Sequence, residues 1–334
     1  MMPTTRQPLP ASIRFGTGLF RTVAWLVLLG ATAILVRAEA QRTTLPETVS
    51  EHADIVYRSI AGREVRLDVY LPTAPPIRGG CPAVVAIHGG GWRGGSKRDM
   101  RLMSIQLAEH GYVVVAIDYQ LSRPGRPSWP SNFEDTREAV RWIRRHAADY
   151  GVDPDRIVAL GVSAGGHLAA LLGTYPDGPV NPDARDRHPA LSSASVARSD
   201  ASTRVQAVVD LYGPADLLAS RTSLPLPATP VTLMLGGTLE TMPGRYEAAT
   251  PVRHVSPNDP PMLLIHGRDD RLVPLEQSQA LAAALDEAGV AHRLIEVDDA
   301  AHGFGFHVPN RKILPDILAF LDSVWNSNTS RPSK

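Results

Sequence analysis

Gly161-Val162-Ser163-Ala164-Gly165 stands between a strand-like run, Arg156-Ile157-Val158-Ala159-Leu160, and a helix-like run, Gly166-His167-Leu168-Ala169-Ala170-Leu171-Leu172. This is the strand–turn–helix setting that the pattern G-x-S-x-G requires. A serine on so sharp a turn has its hydroxyl pushed out to where a substrate reaches it. The flanking glycines let neighbouring backbone pass close to the turn without side chains in the way. Five residues match by chance, so the partners of this stretch must carry the argument.

Those partners lie at the ends of other strand-like runs. His88-Gly89-Gly90-Gly91-Trp92 follows the apolar Ala83–Ile87. Asp270 follows Met262–His266, and His302, in Ala301-His302-Gly303-Phe304, follows Arg293–Val297. The chain order Ser, Asp, His is that of the α/β-hydrolase fold, whereas chymotrypsin-like and subtilisin-like enzymes use other orders. A serine hydroxyl is a weak nucleophile and needs a base to take its proton. Of the eleven histidines, His302 is read as that base, since imidazole both accepts and returns a proton near neutrality. His307, the main competitor, lacks the setting that His302 has. His167 lies in the helix after the turn and reads as a packing or surface residue. Asp270 is read as the acid that orients His302. Asp269 is adjacent, but His-Gly-x-x-Asp-x-x-Val-Pro, read over 266–274, puts the acid at 270. The amide of Ala164 is one donor for the oxyanion that forms on attack. Gly94-Gly95-Ser96-Lys97 has the wrong order for a phosphate loop.

The chain resembles the α/β-hydrolase esterases with an H-G-G-G loop, the hormone-sensitive-lipase-like group, and within it the bacterial carboxylesterases and feruloyl-esterase-like members. The stretches that carry the resemblance are HGGGW at 88–92, DYQLS at 118–122, GVSAGGH at 161–167, HGRDDRLVP at 266–274 and AHGF at 301–304. Gln120 departs from the Arg that many relatives carry. The resemblance implies that Gly90 and Gly91 complete an oxyanion hole with Ala164, and that no metal or organic cofactor is required. His88 is expected to fix the glycine loop, and Asp118 and Tyr119 to brace the site. Trp92 either lines the acyl pocket, as a substrate-binding residue, or packs under the loop.

The fold class expected is α/β, a mostly parallel central sheet with helices on both faces, because strand-like and helix-like runs alternate from residue 50 onward. Glu64–Tyr70 alternates polar and apolar residues, as an edge or antiparallel strand does. Ser131-Asn132-Phe133-Glu134 reads as a capping box opening a helix. Glu276–Ala288 and Lys312–Trp325 read as two further helices. Residues 176–203 and 220–251 break the alternation and read as loop or cap insertions in a single domain over 41–334. The first reads equally well as a surface loop.

With Lys and Arg balancing Asp and Glu, the formal net charge of the 334 residues is zero. That gives no electrostatic reason to expect nucleic acid as a partner. Arg137, Arg141, Arg144 and Arg145 lie at helical spacing among acids and read as a solvated face. The single cysteine, Cys81, can form no internal disulfide.

Residues 1–40 read as a signal peptide: Arg6, Arg14 and Arg21 without an acid before Glu39, an apolar stretch from Thr22 to Val36, then Ala38-Glu39-Ala40. An uncleaved anchor is the other reading, because Arg37 directly follows the apolar run. With the leader removed, no stable membrane span is expected, and the protein is secreted or periplasmic. The function expected is ester hydrolysis through an acyl-enzyme, and the resemblance implies short-chain acyl or aryl esters, small-molecule substrates. The alternatives are an arylformamidase or other amide hydrolase on this fold, and a non-catalytic hydrolase-like binding module.

Overall fold

The computed structural model describes residues 44–74, 79–177, 180, 201–219, 229–308 and 311–329. The signal-peptide reading, most of the first insertion and residues 220–228 of the second lie outside the described residues. Thr43–Lys334 forms one compact unit.

Its centre is a sheet of β1 (Val49–Ile60), β2 (Arg63–Pro72), β3 (Cys81–Ile87), β4 (Val113–Ile117), β5 (Val152–Val162), β6 (Ala207–Leu211), β7 (Met262–Gly267) and β8 (His292–Val297). The strand order is β1-β2-β4-β3-β5-β6-β7-β8. β1 pairs with β2, and β2 with β4, antiparallel, and every other pairing in the sheet is parallel. This is the α/β sheet expected from the alternating pattern.

The apolar runs predict it because β3, β4, β6 and β7 are buried at every residue. Strands covered on both faces read as continuous hydrophobic stretches. Successive side chains point to opposite faces. Thus Val85, Ile87, Val115, Ile157 and Ala159 join one core cluster, and Val84, Ala86, Val114, Val158 and Leu160 the other. The first face is covered by α2 (Ser131–Arg145), α3 (Ala164–Thr174) and α6 (Glu276–Glu287), through Phe133, Ile143, Leu168, Leu171, Leu281 and Leu285. The second is covered by α1 (Arg101–Ala108) and α7 (Leu314–Thr329), through Ile105, Leu107, Ile317 and Leu321.

Of the two readings of Glu64–Tyr70, the antiparallel one holds: β2 pairs antiparallel on both sides, with β1 outside it. β1 escapes a periodicity reading because its register shifts twice, between His52 and Ile55 and between Val56 and Arg58, which breaks the alternation. Two other expectations are corrected. The capping box does not form: Ser131 is already helical, and the cap position falls on Pro130 without a side-chain bond. Glu134 instead pairs with Arg137 at 3.1 Å. The arginines are not a uniformly solvated face either. Arg137 is buried, with its guanidinium over the Phe133 ring, and Arg144 donates to the carbonyls of Ser202 and Arg204.

Those contacts close the base of the first insertion, where Asp177 accepts hydrogen bonds from Ser202 and Thr203. The described part of the second insertion is α4 (Thr229–Leu235) and α5 (Pro243–Ala248), with Met234 and Leu235 in the core. It is therefore packed structure and not a bare loop. No described helix is long and apolar enough to cross a membrane.

Candidate active site

The turn from β5 into α3 is tight enough to force Ser163 to φ 54° and ψ −120°. A non-glycine residue at positive φ stores strain, and such residues gather at functional sites. The glycines around it are dictated by close approach. A methyl at Gly161 would drive into the Gly165 carbonyl, and one at Gly165 into the carbonyls of Ile87 and His88. The Ser163 amide donates to Leu211 O of β6 at 2.9 Å, so the turn is anchored to the neighbouring strand.

His302 and Asp270 meet this serine. The Ser163 hydroxyl donates to His302 Nε2 at 2.9 Å, and His302 Nδ1–H donates to Asp270 Oδ2 at 2.6 Å. Asp270 follows β7, and His302 lies in the loop after β8, so parallel strands deliver both to the same sheet edge as the β5 turn. The other carboxylate oxygen of Asp270 accepts the amides of Leu272 and Val273, each at 2.9 Å. Burial of this carboxyl favours its neutral form, but hydrogen bonds from His266, His302 and Val273 outweigh that and hold its pKa well below the usual carboxylate range. Asp270 is thus the charged partner an imidazolium needs. Asp269 is exposed, and Asp298 pairs with Arg268. His307 is exposed in a two-residue strand, His307–Val308.

The glycine loop after β3 lies against the turn. A methyl on Gly89 would come within 3.0 Å of Val162 O and 3.3 Å of Ser163 Cβ. Gly90 and Gly91 have φ values of 114° and 59°, positions suited to glycine. Among the described residues, nothing accepts a hydrogen bond from the amides of Gly90, Gly91 or Ala164. Pro230 of α4 stands 3.6 Å from where a Gly91 methyl would be, so the second insertion borders the loop.

Behind the loop, His88 Nδ1–H donates to Gly89 O at 2.6 Å and its ring stacks on Tyr119, whose hydroxyl donates to His88 O at 2.9 Å. Asp118 accepts the Lys97 amide at 2.9 Å. These residues brace the loop, as expected. The Lys97 ammonium lies between Asp54 and Asp68, at 2.7 and 2.8 Å, and ties the loop's far end to the β1–β2 hairpin. Trp92 is 3% exposed and edge-on to His167. His167 donates Nε2–H to Ala249 O at 2.7 Å, and burial pushes its pKa down to about 4, so it packs as neutral imidazole. Among the described residues, no group of three or more His, Cys, Asp or Glu side chains is arranged to hold a metal ion.

Two site residues were not singled out from the sequence. His266 donates Nε2–H to Val273 O at 2.8 Å, with Asp270 Oδ2 at 3.3 Å, and accepts from the Ser278 hydroxyl at 2.7 Å. It fixes the turn that carries the acid. Its place in His-Gly-x-x-Asp was the available signal. Tyr212 donates its hydroxyl to Phe304 O and lies edge-on to His302. No motif marks it, because its partners lie on another loop.

Fold and site together define an α/β-hydrolase. The chain belongs to the BD-FAE family, whose profile matches residues 67–285. It is similar to Esterase LipQ of Mycobacterium tuberculosis (strain ATCC 25618 / H37Rv), 33% identical over 83% of this chain and 63% of that one. It spans less than two thirds of the length of this and the next such relatives. Among solved structures, a truncated carbohydrate esterase from gut microbiota aligns at TM-score 0.69 and 27% identity, covering 84% of this chain and 99% of that one. A thermophilic esterase of the planctomycete Thermogutta terrifontis with propionate bound aligns at TM-score 0.63 and 28% identity, covering 86% and 98%.

Proposed function

We propose that this protein is a serine carboxylic ester hydrolase with Ser163, His302 and Asp270 as its catalytic triad. The observation that carries the reading is the unbroken hydrogen-bond chain from Ser163 through His302 to a buried, ionised Asp270. As Ser163 Oγ attacks the ester carbonyl, its proton passes to His302 Nε2. The carbonyl electrons move onto oxygen, and the amides of Gly90, Gly91 and Ala164 are the donors for that charge. Collapse of the tetrahedral intermediate expels the alcohol, which takes the proton back from His302, and leaves an acyl-enzyme. A water then gives its proton to His302 and attacks the acyl carbon. The carboxylic acid departs and Ser163 is restored.

Short-chain acyl or aryl esters are the substrates proposed. The nearness of α4 to the Gly91 side of the loop supports a confined acyl site, and the propionate held by the Thermogutta esterase supports a short acyl group. Trp92, buried behind the loop, supports the acyl site from beneath. Export is proposed on the basic, apolar and Ala-x-Ala character of residues 1–40, and the N-terminal sequence of the exported protein tests it, cleavage after Ala40 being expected.

The decisive experiment is hydrolysis of chromogenic esters from acetyl to palmitoyl, together with a feruloyl ester, by wild type and Ser163→Ala. The expected result is turnover of the short esters, lost in the variant. A folded wild type inert on every ester would overturn the reading and direct attention to formamides and other amides.

A further inference from the structure

Four non-glycine residues at this sheet edge have positive φ: Trp92 at 56°, Ser163 at 54°, Tyr212 at 47° and Asp299 at 54° in the turn after β8. The first two belong to the glycine loop and the nucleophile turn. Tyr212 belongs to neither, and it is 3% exposed with its amide bonded to Ile265 O at 2.9 Å. An aromatic side chain in the left-handed region is unfavourable, so the surrounding contacts must hold it there.

Those contacts converge on the loop that carries His302. The phenol hydroxyl donates to Phe304 O at 2.5 Å. The ring lies edge-on to the His302 imidazole, with centroids 4.9 Å apart and planes at 67°, and edge-on to Phe304 at 4.6 Å and 63°. Apart from this bond, the backbone of residues 301–305 makes no hydrogen bond to another element among the described residues; its neighbours Ala300 and Phe306 are tied at 3.1 and 2.8 Å. Immediately before Tyr212, Leu211 O receives the Ser163 amide at 2.9 Å. Two consecutive residues at the end of β6 therefore hold the nucleophile turn and the histidine loop.

We propose that Tyr212 is a positioning residue for the general base: its hydroxyl pins the 301–305 loop and its ring edge fixes the plane of His302 between Ser163 and Asp270. The proposal rests on the triad reading above. The imidazole must serve Ser163, the leaving group and water in turn without swinging away, and Asp270 alone holds it at only one nitrogen. A displacement of about 1 Å at such a group costs up to about a hundredfold in rate.

The test uses Tyr212→Phe, which removes one oxygen and keeps the ring, and Tyr212→Leu, which removes both contacts. Three quantities are read: kcat and KM on a short-chain ester, the NMR signal of the His302 Nδ1 proton (identified by its loss in His302→Gln), and the melting temperature. For Tyr212→Phe we expect kcat to fall about tenfold with KM unchanged, and the imidazole proton to broaden through faster exchange. Tyr212→Leu should lose about a hundredfold. A Tyr212→Phe enzyme with wild-type kcat and a wild-type proton signal overturns the proposal, even if it melts earlier, since that is a structural effect alone. The NMR readout needs no ester turnover. A wild type that hydrolyses no ester but loses the proton signal in Tyr212→Phe refutes the esterase reading and keeps the positioning role. If Tyr212→Phe does not fold, Tyr212→Leu is read alone, and wild-type kcat with a wild-type proton signal in it overturns the proposal.

Discussion

Ser163 Oγ and His302 Nε2 lie 2.9 Å apart although 139 residues separate them in the chain. The contact exists because parallel strands end on one edge of the sheet, so that the turn after β5 and the loop after β8 face each other. Asp270, after β7, completes the line. Its substitution therefore tests geometry and charge together. Asp270→Asn is expected to lower kcat by about 10³–10⁴-fold with little change in fold, because the neutral amide favours the wrong imidazole tautomer. Steady-state kinetics on a short ester checks this. Stability should change with pH as well. The folded Asp270 pKa lies below its ordinary value, so its ionised form contributes stability that is present above about pH 4 and lost as pH falls through the folded value. Below pH 4, denaturation midpoints of wild type should fall more steeply than those of Asp270→Asn.

The glycine loop yields a contrast between neighbours. At Gly90, φ is 114° and a methyl would strike the Gly94 carbonyl; at Gly91, φ is 59° and the nearest atom is Pro230 Cβ at 3.6 Å. Gly90→Ala must move the backbone that carries an oxyanion donor, and kcat is expected to fall about a hundredfold. Gly91→Ala carries only the left-handed penalty of about 1–2 kcal/mol. Its main effect is expected on acyl-chain preference, through the side facing α4. A chain-length profile of both variants separates the two outcomes.

Much of this is legible in the amino-acid sequence. β3, β4, β6 and β7 are short branched runs because the sheet is covered on both faces, and Ser163, Asp270 and His302 each follow a strand in the chain order of the fold. What escaped depends on tertiary neighbours. β1 lost its alternation to two register shifts. Arg137 looks like surface on a helix wheel but is buried under the closing segment of the first insertion. Tyr212 and His266 act through atoms on other loops, and sequence spacing does not encode those distances.

The β1–β2 hairpin is fastened by a second buried acid. Asp135 of α2 is fully buried and accepts hydrogen bonds from Arg58, Arg63 and the Gln120 amide. Burial outweighs the two guanidinium groups and raises its pKa. Removing it leaves Arg58, 15% exposed, without its carboxylate. Asp135→Ala is expected to cost about 3 kcal/mol, the usual penalty for breaking a buried ion pair from one side. Chemical denaturation gives that value, and proteolysis within 49–63 should accelerate with it.

Asp210 in β6 provides the opposite pH dependence. It is 1% exposed; Oδ1 accepts the Gly213 amide at 2.9 Å, while Oδ2 has no hydrogen-bond partner among the described residues. Burial pushes its pKa up to about 6, against the opposing effects of the Gly213 amide and nearby His266. An acid whose folded pKa exceeds its unfolded value of about 3.9 favours folding most below that value, and the contribution is lost as pH rises through the folded one. Wild type should therefore lose stability relative to Asp210→Asn between about pH 4 and 6, by on the order of 2–3 kcal/mol, and the difference should be constant above pH 7. The comparison is made with urea midpoints of both proteins at each pH. Parallel curves from pH 4 to 7 would show that Asp210 is already ionised at the lower end, its charge met by His266 and the Gly213 amide.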